Sequence, residues 1–157
     1  MPRLTREEAK ALGRRAQQPT RAPGELLAVW VSGKLVNPLN AAQWWVNKVH
    51  PRYKREWHER VALALLEGGW STRPGETRLW PHRATERKRV SLLASVAKKF
   101  DDEGLRAALK AVMDELVKCQ VIHDDGPDSG HQLVYDQVID RARRGVEVRV
   151  SLRKDGA

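Results

Sequence analysis

The sequence predicts a single small α+β domain, with helices packed on a mixed four-stranded sheet. Short apolar runs with β-branched residues alternate with longer segments of helical period, in the order strand, helix pair, strand, helix, two strands. The chain has 157 residues, 41% hydrophobic and 31% charged, which is typical of one globular domain with its own core. No internal repeat or low-complexity run argues for another architecture.

Residues 1–23 are predicted to form a basic, flexible N-terminal tail, and residues 24–153 the folded domain. The tail is too polar to bury much surface. Thr5 and Glu8 have the spacing of a capping box, which predicts a short helix over 6–15. Two proline-containing breaks follow before the first strand.

Four segments have the pattern of strands. The first three are short and apolar, with β-branched residues, and turn residues bound most of them. The fourth alternates apolar and charged residues, which is typical of a half-exposed strand. These strands are predicted over 26–32, 89–98, 131–139 and 146–152.

The first helical region is predicted over 41–67, with Pro51 breaking or restarting it. Its inner side is expected to carry Trp57, Val61, Leu65 and Leu66. Its outer side is basic, which is either a solvated surface or a contact for nucleic acid. A loop rich in Pro, Gly, Trp and Arg follows over 68–86, and long loops of this kind are often functional. The predicted DNA contacts are Arg52, Lys54, Arg55, Arg73, Arg78, Lys98 and Lys99.

The segment 98–125 places acidic residues at both ends of one helix. Its apolar residues recur at spacings of three and four, the period of one buried helix face. They are Leu105, Ala108, Leu109, Val112, Met113, Leu116 and Val117.

The acids of this segment have two interpretations. If the chain folds back after the helix, Asp124 and Asp125 return beside Asp101 and Glu103, and oxygen ligands of this kind select Mg²⁺ or Mn²⁺. Alternatively, the first acids are helix caps and the second pair belongs to a turn. Either acid pair alone favours the structural interpretation, and the two together in a basic protein favour metal binding.

The charge is unevenly distributed along the chain. The net charge is +9, but residues 1–99 carry 20 Lys and Arg against 8 Asp and Glu, a net +12. A basic half followed by an acidic cluster is typical of a protein that attracts a polyanion and holds a metal. Charge alone does not distinguish this from a non-catalytic nucleic-acid-binding protein.

Several other classes are not supported. Cys119 is the single cysteine, so an internal disulfide and a cysteine-based zinc site are excluded. No phosphate-binding loop motif and no Ca²⁺ loop occurs. No apolar run has the roughly 20 residues that a membrane helix needs, and no signal peptide is recognised at the start. A cytoplasmic protein, bacterial or of a phage in its host, is expected.

The segment from Phe100 to Asp125, followed by LVYDQ and a final VEVRVSL strand, resembles the RusA family of Holliday junction resolvases, in particular its divergent phage and prophage members. Asp101, Glu103 and Leu105 match an Asp-x-Asp-Asn-Leu signature at a helix start. Ala108-Leu109-Lys110 and Asp114 match the helix, and Asp124 and Asp125 match a later Asp pair. The resemblance covers roughly 24–152 and is most specific over 100–137.

The resemblance implies a homodimeric, Mg²⁺-dependent endonuclease that cuts four-way junctions or other branched DNA. It implies metal ligands at Asp101, Glu103, Asp124 and Asp125, with Lys110 beside the phosphate. Three positions depart from the family pattern. Glu103 replaces an Asp, Gly104 replaces an Asn whose amide would orient a carboxylate, and Ala107 replaces a lysine for which Lys110 is the nearest substitute.

Overall fold

The computed structural model describes residues 19–37, 50–70 and 86–153. It confirms a single small α+β domain with a mixed four-stranded sheet. In chain order, the elements are β1 (Glu25–Ser32), α1 (His50–Glu67), β2 (Lys88–Val96), α2 (Asp102–Lys118), a single 3₁₀ turn (Pro127–Ser129), β3 (Gln132–Ile139) and β4 (Gly145–Leu152).

The strand order across the sheet is β1-β4-β2-β3. β4 is antiparallel to both of its neighbours, and β2 is parallel to β3. β1, β2 and β3 therefore run in the same direction, and their carboxyl ends lie at one edge of the sheet with the start of β4. This carboxyl edge collects the connections that follow β1 and β2 and the turn before β4.

One face of the sheet is buried under the helices. Alternate residues of β1, β2 and β4 are buried and belong to the same core cluster as the inner sides of α1 and α2. The alternation arises because successive strand residues point to opposite faces. The buried apolar strand residues of this face are Leu27, Val29, Val31, Val90, Leu92, Ala94, Val96, Val146, Val148 and Val150.

Helix α2 has the predicted buried face. Six of the seven predicted apolar residues are fully buried, and Val117 is partly buried against the same core. The helix crosses back over the sheet between β2 and β3, and this crossover is what allows those two strands to be parallel. It therefore begins near the carboxyl edge and ends near the opposite edge.

Helix α1 differs from the prediction at one inner position. Trp57, Val61 and Leu65 are almost fully buried, but Leu66 is 53% exposed. Adjacent helix positions are about 100° apart around the axis, so the face that buries Leu65 turns Leu66 towards solvent. Pro51 lies in the first turn, where a helix needs no N–H hydrogen bond.

The predicted early part of this helix, most of the 68–86 loop and the helix over 6–15 lie outside the described residues. Within the part of the chain that is described, no helix is long and apolar enough to cross a membrane.

Candidate functional site

Asp101 forms the N-cap of helix α2. Its backbone is extended, and its Oδ1 accepts a hydrogen bond of 2.7 Å from the N–H of Gly104. A side-chain oxygen at this position satisfies an N–H group that the helix leaves unpaired. Asp102 and Glu103 follow in the first turn and are exposed. The structural part of the sequence interpretation, in which the first acids cap the helix, is therefore confirmed for Asp101.

Gly104 allows Asn37 to approach this cap. A Cβ added to Gly104 would lie 2.5 Å from Nδ2 of Asn37 and 2.5 Å from Oδ1 of Asp101. The amide of Asn37 therefore lies next to the Asp101 carboxylate, in space that a side chain at position 104 would fill. Asn37 thus brings an amide to this position from the connection after β1.

Lys110 joins the second acid pair to helix α2. Its Nζ lies 2.6 Å from Oδ2 of Asp125 and 3.0 Å from Oδ1 of Asp114. The hydrogen bond to Asp125 is the main reason that the pKa of Lys110 is raised above its ordinary value. The chain after α2 thus folds back so that Asp125 contacts the exposed side of the helix.

Tyr135 on β3 extends this group, which we call the Lys110 cluster: Arg106, Lys110, Asp114, Asp125 and Tyr135. The guanidinium of Arg106 lies 5.7 Å from the centre of the Tyr135 ring. Burial raises the pKa of the Tyr135 hydroxyl, and the Asp125 carboxylate raises it further. The cluster holds two cations and two carboxylates, so its charges largely balance.

The predicted metal ligands fall into two groups. Asp101 and Glu103 lie at the start of α2, and Asp125 lies in the Lys110 cluster. Lys110 follows Asp101 by nine residues, so the two groups are about 13 Å apart along the helix axis. Asp124 is exposed beside Asp125. Among the described residues, no three His, Cys, Asp or Glu side chains are grouped so that they could hold a metal ion. Metal binding by these acids stays a prediction.

A pocket of about 340 Å³ lies at the carboxyl edge of the sheet, beside the Asp101 cap. It is lined by residues from three parts of the chain that are far apart in sequence. Two of them, Lys98 and Lys99, were predicted as DNA contacts. The lining consists of Lys34, Leu35, Asn37, Ser95, Val96, Ala97, Lys98, Lys99, Phe100, Asp101 and Arg144.

Gln137 fixes the backbone between the pocket and the cap. Its side-chain amide accepts from the N–H of Phe100 at 2.9 Å and donates to the carbonyl of Phe100 at 2.8 Å. This two-point contact from the neighbouring parallel strand orients Phe100 and hence Asp101. Gln137 belongs to the LVYDQ segment, but the sequence does not indicate its role, because the parallel pairing of β2 and β3 is needed to see it.

The other predicted DNA contacts lie elsewhere. Arg52 is exposed and pairs with Glu56 on α1 at 3.3 Å. Lys54 and Arg55 line a second, shallower pocket between α1 and α2. Arg73 and Arg78 lie outside the described residues. Lys34, Asn37 and Arg144 were not predicted as site residues, although the basic turn before β4 is visible in the sequence.

No protein-family model matches this chain, and no match is found among curated proteins.

Proposed function

We propose that this protein is a RusA-like, metal-dependent endodeoxyribonuclease that resolves Holliday junctions or other branched DNA by phosphodiester hydrolysis. The observation that carries the proposal is the contact between Lys110 and Asp125. It brings the second acid pair back to the helix that begins at Asp101, as the resemblance implies. The pocket, whose described lining includes four basic side chains, adds a surface suited to DNA phosphates beside the same helix start.

The donors proposed for one or two ions are Asp101, Glu103, Asp124 and Asp125, which lie in two groups along α2. All are carboxylates, and hard ions such as Mg²⁺ and Mn²⁺ prefer oxygen ligands. When bound, such an ion lowers the pKa of a coordinated water and offsets charge on the phosphate. In the described geometry Asp125 is neutralised by Lys110, so its participation requires Lys110 to exchange this contact for one with a DNA phosphate.

Basic side chains near the proposed site and on α1 would bind the DNA backbone. Lys98 and Lys99 are exposed beside Asp101, where they can hold the backbone of the strand to be cut. The exposed Arg52 and Arg55 on α1 would contact a DNA arm. Such phosphate contacts give affinity and register without sequence preference, which suits an enzyme that selects branched structure.

A non-catalytic nucleic-acid-binding protein is the second candidate. Two observations favour it: Asp101 already has a structural role as a cap, and Asp125 already has a counter-ion. In this case the acids serve the fold alone, and the basic surface is the whole functional site.

A labelled four-way junction separates the two candidates. The nuclease proposal predicts paired cuts with Mg²⁺ or Mn²⁺ and none after chelation, whereas the binding protein would retard the junction without cutting it under either condition. Retardation with no cleavage in either metal would overturn the nuclease proposal. A linear duplex of the same sequence is the matched control for structure selectivity.

A homodimer is part of the proposal, because symmetric cuts in a four-way junction need two equivalent sites. The expected mass is about twice the 17.9 kDa of one chain, and interfaces of standard size keep such a dimer together at micromolar concentration. Light scattering after size exclusion, without Mg²⁺, measures this directly. A monomer mass combined with paired cuts would exclude a preformed dimer.

A further inference from the structure

The pocket at the carboxyl edge has one apolar and one cationic part. Leu35 and Val96 are buried, and Phe100 is partly buried against the core, so together they make an apolar floor. The cationic rim is formed by exposed basic side chains, namely Lys34, Lys98, Lys99 and Arg144. Asp101 is the single carboxylate among the described residues of the lining, which gives them a formal excess of three positive charges.

The walls of the pocket are held in place by the sheet. The carbonyl of Arg144 accepts from the N–H of Gly33 at 3.2 Å, which links the rim residues Lys34 and Arg144 across neighbouring connections. Gln137 holds Phe100 through two hydrogen bonds. Ser95, only 9% exposed, lines the pocket from the end of β2. These contacts make the pocket a feature of the folded sheet edge and not of one loop.

The size of the pocket limits what it can hold. Its volume of about 340 Å³ is at the lower end of the range for small-molecule sites, about 300–1,000 Å³. A duplex does not enter such a space, but a single nucleotide does. A nucleotide also has the two chemical parts that the lining offers, a flat apolar base and an anionic phosphate.

We propose that this pocket binds one unstacked nucleotide, with its base on the floor formed by Leu35, Val96 and Phe100 and its phosphate at the rim of Lys34, Lys98, Lys99 and Arg144. The identification of DNA as the source of the nucleotide rests on the proposed function. Branch points contain bases that are easily unstacked, so a pocket for one such base gives the protein a way to recognise branched DNA beyond its charge. Aromatic side chains accept any base in this way.

The first test is a set of calorimetric titrations without divalent ions, using thymidine 5′-monophosphate, thymidine and inorganic phosphate as separate probes. The monophosphate is expected to bind at least about tenfold more tightly than either part alone, because only it contacts both floor and rim. If the monophosphate binds no better than phosphate, or if it does not bind at millimolar concentration, the proposal is wrong.

Variants assign each part of the nucleotide to its part of the pocket. Arg144→Gln should weaken the monophosphate and phosphate by about fivefold and leave thymidine unchanged. Phe100→Leu, which keeps an apolar side chain against the core, should weaken the monophosphate and thymidine about fivefold or more through lost stacking. Arg141→Gln, an exposed Arg in the same turn but outside the lining, is the matched control and should change none of the three. Equal effects of Arg141→Gln and Arg144→Gln would overturn the assignment.

A second pair of probes separates a free nucleotide from a nucleotide in DNA. A duplex with one unpaired thymidine should bind more tightly than the same duplex without it, and Phe100→Leu should remove this difference. Equal affinity for the two duplexes, with wild-type protein, would exclude an unstacked base of DNA as the occupant.

The outcomes distinguish this inference from the proposed function. Monophosphate binding without any junction cleavage would support the pocket and remove the nuclease proposal. Cleavage of junctions by a protein that binds none of the small probes would support the nuclease and overturn the pocket.

Discussion

Replacing Asp101 in two different ways separates its structural role from a catalytic one. Asp101→Ala removes the 2.7 Å hydrogen bond to the N–H of Gly104, whereas Asp101→Asn keeps an oxygen that can accept it. Asn and Asp cap helices about equally well. The two variants therefore differ in the cap, but both lack the carboxylate.

The stability effect follows from the cap. Loss of a side-chain cap costs about 1 kcal/mol, which corresponds to a decrease in Tm of about 2–4 °C for a chain of this size. Asp101→Asn should lose only the interaction of the charge with the helix dipole, a few tenths of a kcal/mol for an exposed group. Thermal and urea denaturation measure both values.

Cleavage should respond differently from stability. If the carboxylate holds an ion, Asp101→Asn abolishes junction cleavage although its fold is intact, and it binds DNA as tightly as wild type or more tightly, because one negative charge has left a basic pocket. Asp128→Asn, an exposed Asp in the 3₁₀ turn, is the control and should cut normally. Normal cleavage by Asp101→Asn would refute the catalytic role and leave Asp101 as a cap alone. A Tm of Asp101→Asn as low as that of Asp101→Ala would refute the reasoning about the cap.

Three further predictions concern the residues around this site. Gly104→Ala should stabilise the helix by up to about 1 kcal/mol through its higher helix propensity, but the added Cβ should displace Asn37 and Asp101. We therefore expect reduced cleavage without reduced Tm, and unchanged cleavage would contradict the crowding at Gly104. Gln137→Leu should lower the free energy of unfolding by about 1–3 kcal/mol, because it leaves the backbone groups of Phe100 without their partner; an unchanged urea midpoint would contradict it. Burial, His123 and Lys88 lower the pKa of His131, while Asp124 opposes this. The unfolded state therefore binds more protons than the folded state, and the free energy of unfolding should fall as the pH decreases below about 6.5. His131→Gln should flatten this part of the stability profile, and an unchanged profile would refute the assignment.

The helices and strands could be predicted because their signals are local. The buried face of α2 follows directly from the spacing of its apolar residues, and the alternation in β4 is visible in VEVRVSL. The prediction was wrong at Leu66 because Leu65 and Leu66 are adjacent leucines at the end of the buried face, and composition does not indicate which of them the core accepts.

The pocket could not be predicted because it depends on the order of strands across the sheet. Lys34, Lys98 and Arg144 are separated by 64 and 46 residues in sequence, and they meet only because β4 lies between β1 and β2. Asn37 lies in the connection that follows β1. Its position beside Asp101 depends on the missing side chain of Gly104, a contact that no sequence pattern encodes.

The charge of Asp101 is the feature that favours the nuclease over the binding protein. A cap alone does not require it, because Ser and Asn satisfy the same N–H group about as well. Beside the four basic side chains of the described lining, a carboxylate also repels the phosphate that the rim would attract, so it weakens a site that only binds anions. The interaction of the Asp101 charge with the helix dipole stabilises the fold by less than about 1 kcal/mol at an exposed position. A negative charge that is unnecessary for the cap and unfavourable for the anion is explained if it holds a cation next to the bound phosphate.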